Sequence, residues 1–196
     1  MKSMVLALLM LATAVALEPT ARADERPVRV LIQTDRGDIE VELESAKAPV
    51  TVANFLRYVD AKRYDGGQFH RTVTPRNQPN NKVKIEVIQA GIRADKSQGE
   101  FSAIKLERTR DTGLKHKNGT ISMARDGPDT ATSDFFICVG DQPELDFGGK
   151  RNPDGQGFAA FGRVIKGLEV VKKIQSAPAR DQALMPPVKI LKVVRR

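Results

Sequence analysis

The stretch Val28-Arg29-Val30-Leu31-Ile32-Gln33-Thr34-Asp35-Arg36-Gly37-Asp38-Ile39-Glu40-Val41-Glu42-Leu43 alternates apolar and polar residues on both sides of a turn. Successive strand side chains point to opposite faces, so Val28, Val30 and Ile32 share one face of a first strand. Ile39, Val41 and Leu43 share one face of a second. Asp35-Arg36-Gly37-Asp38 carries the turn chemistry that reverses a chain, so the segment is predicted to be a β-hairpin.

Outward from the hairpin the period changes. Val52, Phe55, Leu56 and Val59 recur at helical spacing, and Pro49 suits the first turn of a helix, where its missing N–H costs nothing. Gly66 and Gly67 end that region. Short apolar runs follow at Val83 to Ile88, Thr120 to Ala124, Phe135 to Val139 and Ala159 to Ile165, separated by Gly, Pro, Asn and Asp. A second short helix is predicted over Leu168 to Ile174, then a Pro-marked loop at Met185-Pro186-Pro187 and a last alternating strand, Val188 to Val194. The polar segment Thr74 to Lys82 has no period and is predicted to be an exposed loop. Short strands, two helices and no βαβ rhythm predict a mainly β barrel in one domain.

Composition narrows the chemistry. The chain has 196 residues, 40% hydrophobic and 29% charged, with formal net charge +8. It is too apolar for a disordered chain and too charged for a membrane bundle. One cysteine excludes an intramolecular disulfide, and two histidines leave little for a zinc site, so no metal or other cofactor is expected. Cys138, inside Phe135-Phe136-Ile137-Cys138-Val139, is expected to be a buried, inert thiol. Lysines and arginines are spread among acids with few aromatics between them, which does not describe a nucleic-acid surface. No Gly-x-Ser-x-Gly elbow is present for a hydrolytic serine.

Lys2, the apolar run from Met4 to Leu17 and Ala21-Arg22-Ala23 are the parts of a secretory signal peptide. The run is short of the ~20 residues needed to span a bilayer. Residues 1–23 are therefore expected to be an export signal, cleaved or else kept as a membrane tether, leaving residues 24–196 periplasmic or secreted and without a membrane span once the signal is removed; a monomer is expected.

One ordered set of segments carries a function: Phe69-His70-Arg71, Ile88-Gln89-Ala90-Gly91, Gly119-Thr120-Ile121-Ser122-Met123-Ala124, Ser133-Asp134-Phe135-Phe136-Ile137, Glu144-Leu145-Asp146, and Phe161-Gly162-Arg163-Val164-Ile165. This order resembles the cyclophilin-type peptidyl-prolyl cis-trans isomerases, here as a bacterial, exported member, over nearly all of residues 24–196. The resemblance implies a closed, eight-stranded antiparallel barrel capped by two helices. It also implies a site on the outer wall for proline-containing peptides, including unfolded exported proteins. The family's catalytic arginine falls on Arg71 and its supporting glutamine on Gln89. Its proline pocket falls on Phe136, Leu145 and Ala124, with Val87, Phe158, Arg125 and Asp134 at neighbouring substrate-binding positions. Strand alternation further predicts that one of Phe135 and Phe136 faces inward and the other outward.

The sequence also departs from the family. Glu86 stands where a large apolar wall is expected, Val87 where methionine is usual, Asp134 for an amide, Arg125 for an asparagine, Glu144 for an aromatic and Phe158 for His or Tyr. The stretch between Arg71 and Gln89 is longer than the family's short turn, by the Thr74 to Lys82 loop. That loop is expected either to extend or cover the groove or to be a tolerated surface insertion. Glu86 and Asp134 are expected either to pair with Arg71 in the absence of substrate or to lie on the surface. The departures imply weak binding of cyclosporin. They leave two functional alternatives, an active isomerase and a peptide-binding chaperone module with weak or no isomerase activity.

Overall fold

The alternating stretch folds as expected, in a computed structural model that describes residues 27–93, 95 and 100–196. The expected export signal, residues 1–23, lies outside the described residues. Strand β1 (Val28–Thr34) pairs antiparallel with β2 (Gly37–Leu43) from Val28 opposite Leu43 to Thr34 opposite Gly37. The Thr34 hydroxyl donates to the Gly37 carbonyl at 2.6 Å and accepts the Arg36 amide at 3.0 Å, which closes the turn. Gly37 takes φ 128°, a conformation that side chains disfavour.

The other strands among the described residues are β3 (Gln68–Val73), β4 (Val87–Gly91), β5 (Thr120–Met123), β6 (Phe135–Cys138), β7 (Ala159–Lys166), β8 (Ala179–Arg180) and β9 (Ala183–Arg195). They pair antiparallel in the order β1-β2-β7-β5-β6-β4-β3-β9, and β9 returns to β1. The result is the closed eight-stranded barrel. β8 is a two-residue spur hydrogen-bonded to β9. Closure leaves no long unpaired edge, which an antiparallel sheet otherwise exposes.

Helix α1 (Pro49–Asp60) buries Val52, Phe55, Leu56 and Val59, the face read from their spacing, and packs on β7 and β9. Its Phe55 ring meets Phe135 edge-on at 5.5 Å and Phe161 at 5.2 Å, so the helix seals the barrel interior. The short α2 (Thr109–Thr112) precedes β5. Helix α3 (Leu168–Gln175) buries Val170, Val171 and Ile174 and packs near β2, β3 and β4.

The structure corrects three local expectations. β4 starts at Val87 rather than Val83, because the Ile85 and Glu86 amides donate to the side chains of Gln78 (3.3 Å) and Gln142 (3.1 Å) instead of a neighbouring strand. The Thr74 to Lys82 segment is not simply an exposed loop. It contains a 3-10 turn at Pro75–Asn77, and Gln78 is 1% exposed, donating to the carbonyls of Thr74 and Ile85. Met185-Pro186-Pro187 lies within β9 rather than in a loop. It falls where pairing with β3 jumps from Val188 opposite Phe69 to Ala183 opposite Arg71, so the prolines sit where the ladder needs no N–H.

Candidate active site

The polar face of the barrel wall is set by an irregularity in β3. Phe69 pairs with Ala90 and Arg71 with Gln89, so β3 spends two residues where β4 spends one, and His70 is the extra residue. In a regular strand Phe69 and Arg71 would share a face. The bulge sends Phe69 into the interior and turns Arg71 outward, as bulges beside functional sites do. A cross-strand row then runs over the outer wall, with Arg71 opposite Gln89, Gln89 opposite Phe136 and Phe136 opposite Ser122.

All nine residues read from the sequence as site positions line one open groove of about 650 Å³. Arg71 and Gln89 meet: Arg71 Nη1 donates to Gln89 Oε1 at 3.0 Å. Gln89 Nε2 donates in turn to Asp134 Oδ2 at 3.0 Å, which fixes the amide with its oxygen toward the guanidinium. Asp134 also lies 3.6 Å from His70 Nε2. Burial pushes the Asp134 carboxyl above its ordinary range, opposed by the Gln89 hydrogen bond and by His70. The close approach of Asp134 to β4 needs Gly91, since a Cβ there would lie 1.8 Å from Asp134 Oδ1. Burial also pushes the Arg71 guanidinium down from its ordinary value. It stays charged, because arginine titrates so high.

The apolar wall beside this pair is a separate cluster of Val73, Ile85, Val87, Phe136, Cys138 and Leu145, with Ala124 and Phe158 packed against it. Phe135 faces the interior and Phe136 the outer wall, as alternation predicts. Phe136 meets Phe158 edge-on at 5.3 Å and stacks on His116 at 6.0 Å. Cys138 is buried beneath this wall, and burial pushes its thiol up, consistent with an inert group. Arg125 lines the groove but has little freedom. Its side chain is 1% exposed, bonded to Asp154 (2.8 Å) and to the Gly157 carbonyl (2.9 Å), with its charge 5.1 Å over Phe158.

The structure decides among the alternatives that the sequence left open here. Glu86 does not reach Arg71; it accepts a hydrogen bond from Gln175 Nε2 at 3.0 Å. Asp134 reaches Arg71 only through Gln89. Glu144 turns away from the groove to accept the Lys150 amide at 2.8 Å. The Thr74 to Lys82 insertion neither lines nor covers the groove.

Sequence reasoning missed two groups. Gln182, from the β8–β9 turn, accepts from Arg71 Nε at 2.9 Å and from Nη2 at 2.5 Å. Nothing local marks it, because the two residues are 111 positions apart. His116, under Phe136, places Nδ1 2.8 Å from Asp146 and Nε2 3.0 Å from the Ser122 hydroxyl. Burial pushes Asp146 up, but its hydrogen bonds to the His116 ring and amide outweigh this and hold it below its ordinary range. The ionised carboxylate therefore accepts from Nδ1–H, and Nε2 faces the Ser122 hydroxyl.

Comparison with known proteins agrees with this geometry. Residues 29–195 match the family model described as cyclophilin type peptidyl-prolyl cis-trans isomerase/CLD. The chain is 38% identical over 153 residues to peptidyl-prolyl cis-trans isomerase A of Dickeya dadantii, covering 78% of this chain and 73% of that protein. It is 36% identical over 170 residues to a peptidyl-prolyl cis-trans isomerase of Acinetobacter baylyi, covering 84% and 83%. In shape it is similar to the crystal structure of a Cryptosporidium parvum cyclophilin type isomerase, with TM-score 0.70, 23% identity, and coverage of 87% of this chain and 98% of that one. The same parasite protein in the presence of the dipeptide Ala-Pro matches with TM-score 0.68 and 22% identity.

Proposed function

Because the chain belongs to the cyclophilin family and is a peptidyl-prolyl cis-trans isomerase, we propose that it isomerises X–Pro bonds in exported, incompletely folded proteins, with Arg71 as its catalytic residue. Rotation about the peptide bond is opposed by amide resonance, a barrier of ~18–20 kcal/mol. Lowering it needs no broken covalent bond. The pyrrolidine ring must be held while the acyl side turns, and the twisted amide must be favoured over both planar forms.

The outer-wall cluster is suited to hold the ring. Phe136 offers a flat apolar face, with Leu145, Ala124, Val87 and Phe158 around it. Arg71 is suited to the second task, because the prolyl nitrogen becomes an acceptor as it loses conjugation with the carbonyl. A guanidinium carries five donors in a rigid plane. Nε and Nη2 each give one to Gln182 and Nη1 gives one to Gln89, so the others are free to point into the groove. A cation fixed before the reaction stabilises the charge redistribution of the twisted amide without reorganising at the moment of rotation. The observation that carries this reading is the Arg71–Gln89 contact beside Phe136 in one open groove.

Action outside the cytoplasm rests on the export signal read over residues 1–23. No helix among the described residues is long and apolar enough to cross a membrane. Secretion of a fusion carrying residues 1–23, with the exported protein starting at residue 24, tests the location; a protein retained with Met1 intact would refute it. A protease-coupled assay on an X–Pro peptide tests the mechanism. Arg71→Ala should lower kcat/KM by about 100-fold with the fold intact. An unchanged rate would discard the role assigned to Arg71.

A further inference from the structure

We propose that Gln182 is a positioning residue that aims the Arg71 guanidinium, and that the inserted turn around Asn77 belongs to the active-site scaffold because it holds Gln182. The proposal rests on the catalytic role given to Arg71 above. A guanidinium on a flexible stem needs two edges restrained before its remaining donors have one direction. Gln89 restrains the Nη1 side, and Gln182 Oε1 takes both Nε–H and one Nη2–H, at 2.9 and 2.5 Å. That chelating contact fixes rotation about the last side-chain bond, which a single contact at Nη1 leaves free.

Gln182 is in turn held by the insertion. Its Nε2 donates to the Asn77 carbonyl at 3.0 Å, which orients the amide with its oxygen toward Arg71. The Asn77 side chain donates to the carbonyls of Asp181, at 2.9 Å, and Thr72, at 3.0 Å, and accepts the Thr74 amide at 2.8 Å. One side chain thus ties the insertion, the end of β3 and the β8–β9 turn together. Asp181, at the tip of that turn, has φ 54°, so the tie holds a backbone conformation that non-glycine residues rarely adopt. The insertion therefore acts on the site from behind the arginine rather than from the rim of the groove. Asp134, Gln89, Arg71, Gln182 and Asn77 form one hydrogen-bonded chain across the wall.

Gln182→Met keeps side-chain length and removes both the acceptor and the donor. It should lower kcat/KM about tenfold, mainly through kcat, with Tm within about 2 °C of the parent protein. In an Arg71→Ala background the same substitution should change nothing further, because both act through one group. Asn77→Ala should give a smaller loss, about threefold, that does not add to that of Gln182→Met. Exchange of the Arg71 Nε–H with water, followed by nitrogen-edited NMR, should speed up about tenfold in Gln182→Met, a readout independent of turnover. Parental activity in Gln182→Met while Arg71→Ala is impaired would overturn the proposal, as would a full tenfold loss on top of Arg71→Ala. Parental activity in Asn77→Ala would remove the insertion from the scaffold. If Arg71→Ala itself keeps the parental rate, the mechanism fails instead, and unaltered Nε–H exchange in Gln182→Met would show separately that Gln182 does not hold the arginine.

Discussion

The barrel interior and the outer-wall cluster are built from the same strands, yet they differ in kind. β6 is the clearest case: Phe135 and Ile137 enter the interior, while Phe136 and Cys138 face the outer wall. Inside, Phe135 is enclosed by Phe55, Tyr64 and Phe69 in edge-on contacts of 5.5 to 6.0 Å, and α1 covers them. Outside, Phe136 packs among Val73, Ile85, Val87, Cys138, Leu145 and Phe158 and on the His116 ring, and this layer lines a groove bordered by Arg71, Gln89 and Asp134. One apolar strand face is closed by the protein itself. The other is covered by side chains from loops and turns, among them Ile85, Leu145 and Phe158, and lines a groove whose polar border is hydrogen-bonded. The contrast separates what holds the molecule together from what lets it act.

Substitutions on the two faces should therefore have different consequences. Phe135→Ala should be the most damaging to folding, costing about 3–5 kcal/mol of stability in urea denaturation, since the sealed interior collapses poorly around a lost ring. A cost below ~1 kcal/mol would show that the interior is not the structural foundation. Loss of about 100-fold activity in Arg71→Ala, with stability little changed, is the opposite extreme. Phe136→Leu should lie between them: stability within about 1.5 kcal/mol of the parent, but kcat/KM down about tenfold, because a branched side chain replaces the flat wall. Equal effects on stability from Phe135→Leu and Phe136→Leu, with activity intact in both, would erase the distinction.

The smallest effect expected concerns pH. The Asp134 pKa is raised in the folded protein, chiefly by burial. The native state then binds more protons than the unfolded chain between the ordinary aspartate pKa, near ~4, and the raised value, so stability falls as pH rises through that window. Asp134→Asn removes this cost while keeping an oxygen for Gln89. It should be more stable than the parent at neutral pH by a few tenths of a kcal/mol, given the partial exposure of the group. The two proteins should converge below about pH 4. Greater stability of the parent at neutral pH would mean that the His70 contact outweighs the burial.

Much of the fold was legible because its signals are local. The hairpin, the buried face of α1 and the opposition of Phe135 and Phe136 each follow from a period that a few neighbouring residues carry. The misreadings came where side chains replaced backbone partners. Gln78 and Gln142 claim amides that a strand at Val83 would have used, and the β3–β9 irregularity makes room for Pro186 and Pro187 inside a strand. Sequence position alone left Glu86 either paired with Arg71 or on the surface, and the loss of pairing before Val87 lets it turn to Gln175.

For the site, the ordered segments from Phe69 to Ile165 identified the groove's residues by resemblance, and the nine positions meet there. What no local pattern contained was the direction of Arg71. Alternation alone puts it on the same face as Phe69, inside the barrel, and only the extra residue His70, accommodated by pairing with β4, turns it outward. Gln182 likewise acquires its role only when β9 closes on β3 and brings the β8–β9 turn to the guanidinium. The sequence by itself determined the strand and helix types, the buried faces and the kinds of side chain available for the chemistry, because these depend on neighbours a few residues away. The tertiary structure decided register, the bulge and the partners of Arg71, because hydrogen-bond pairing between distant strands selects them.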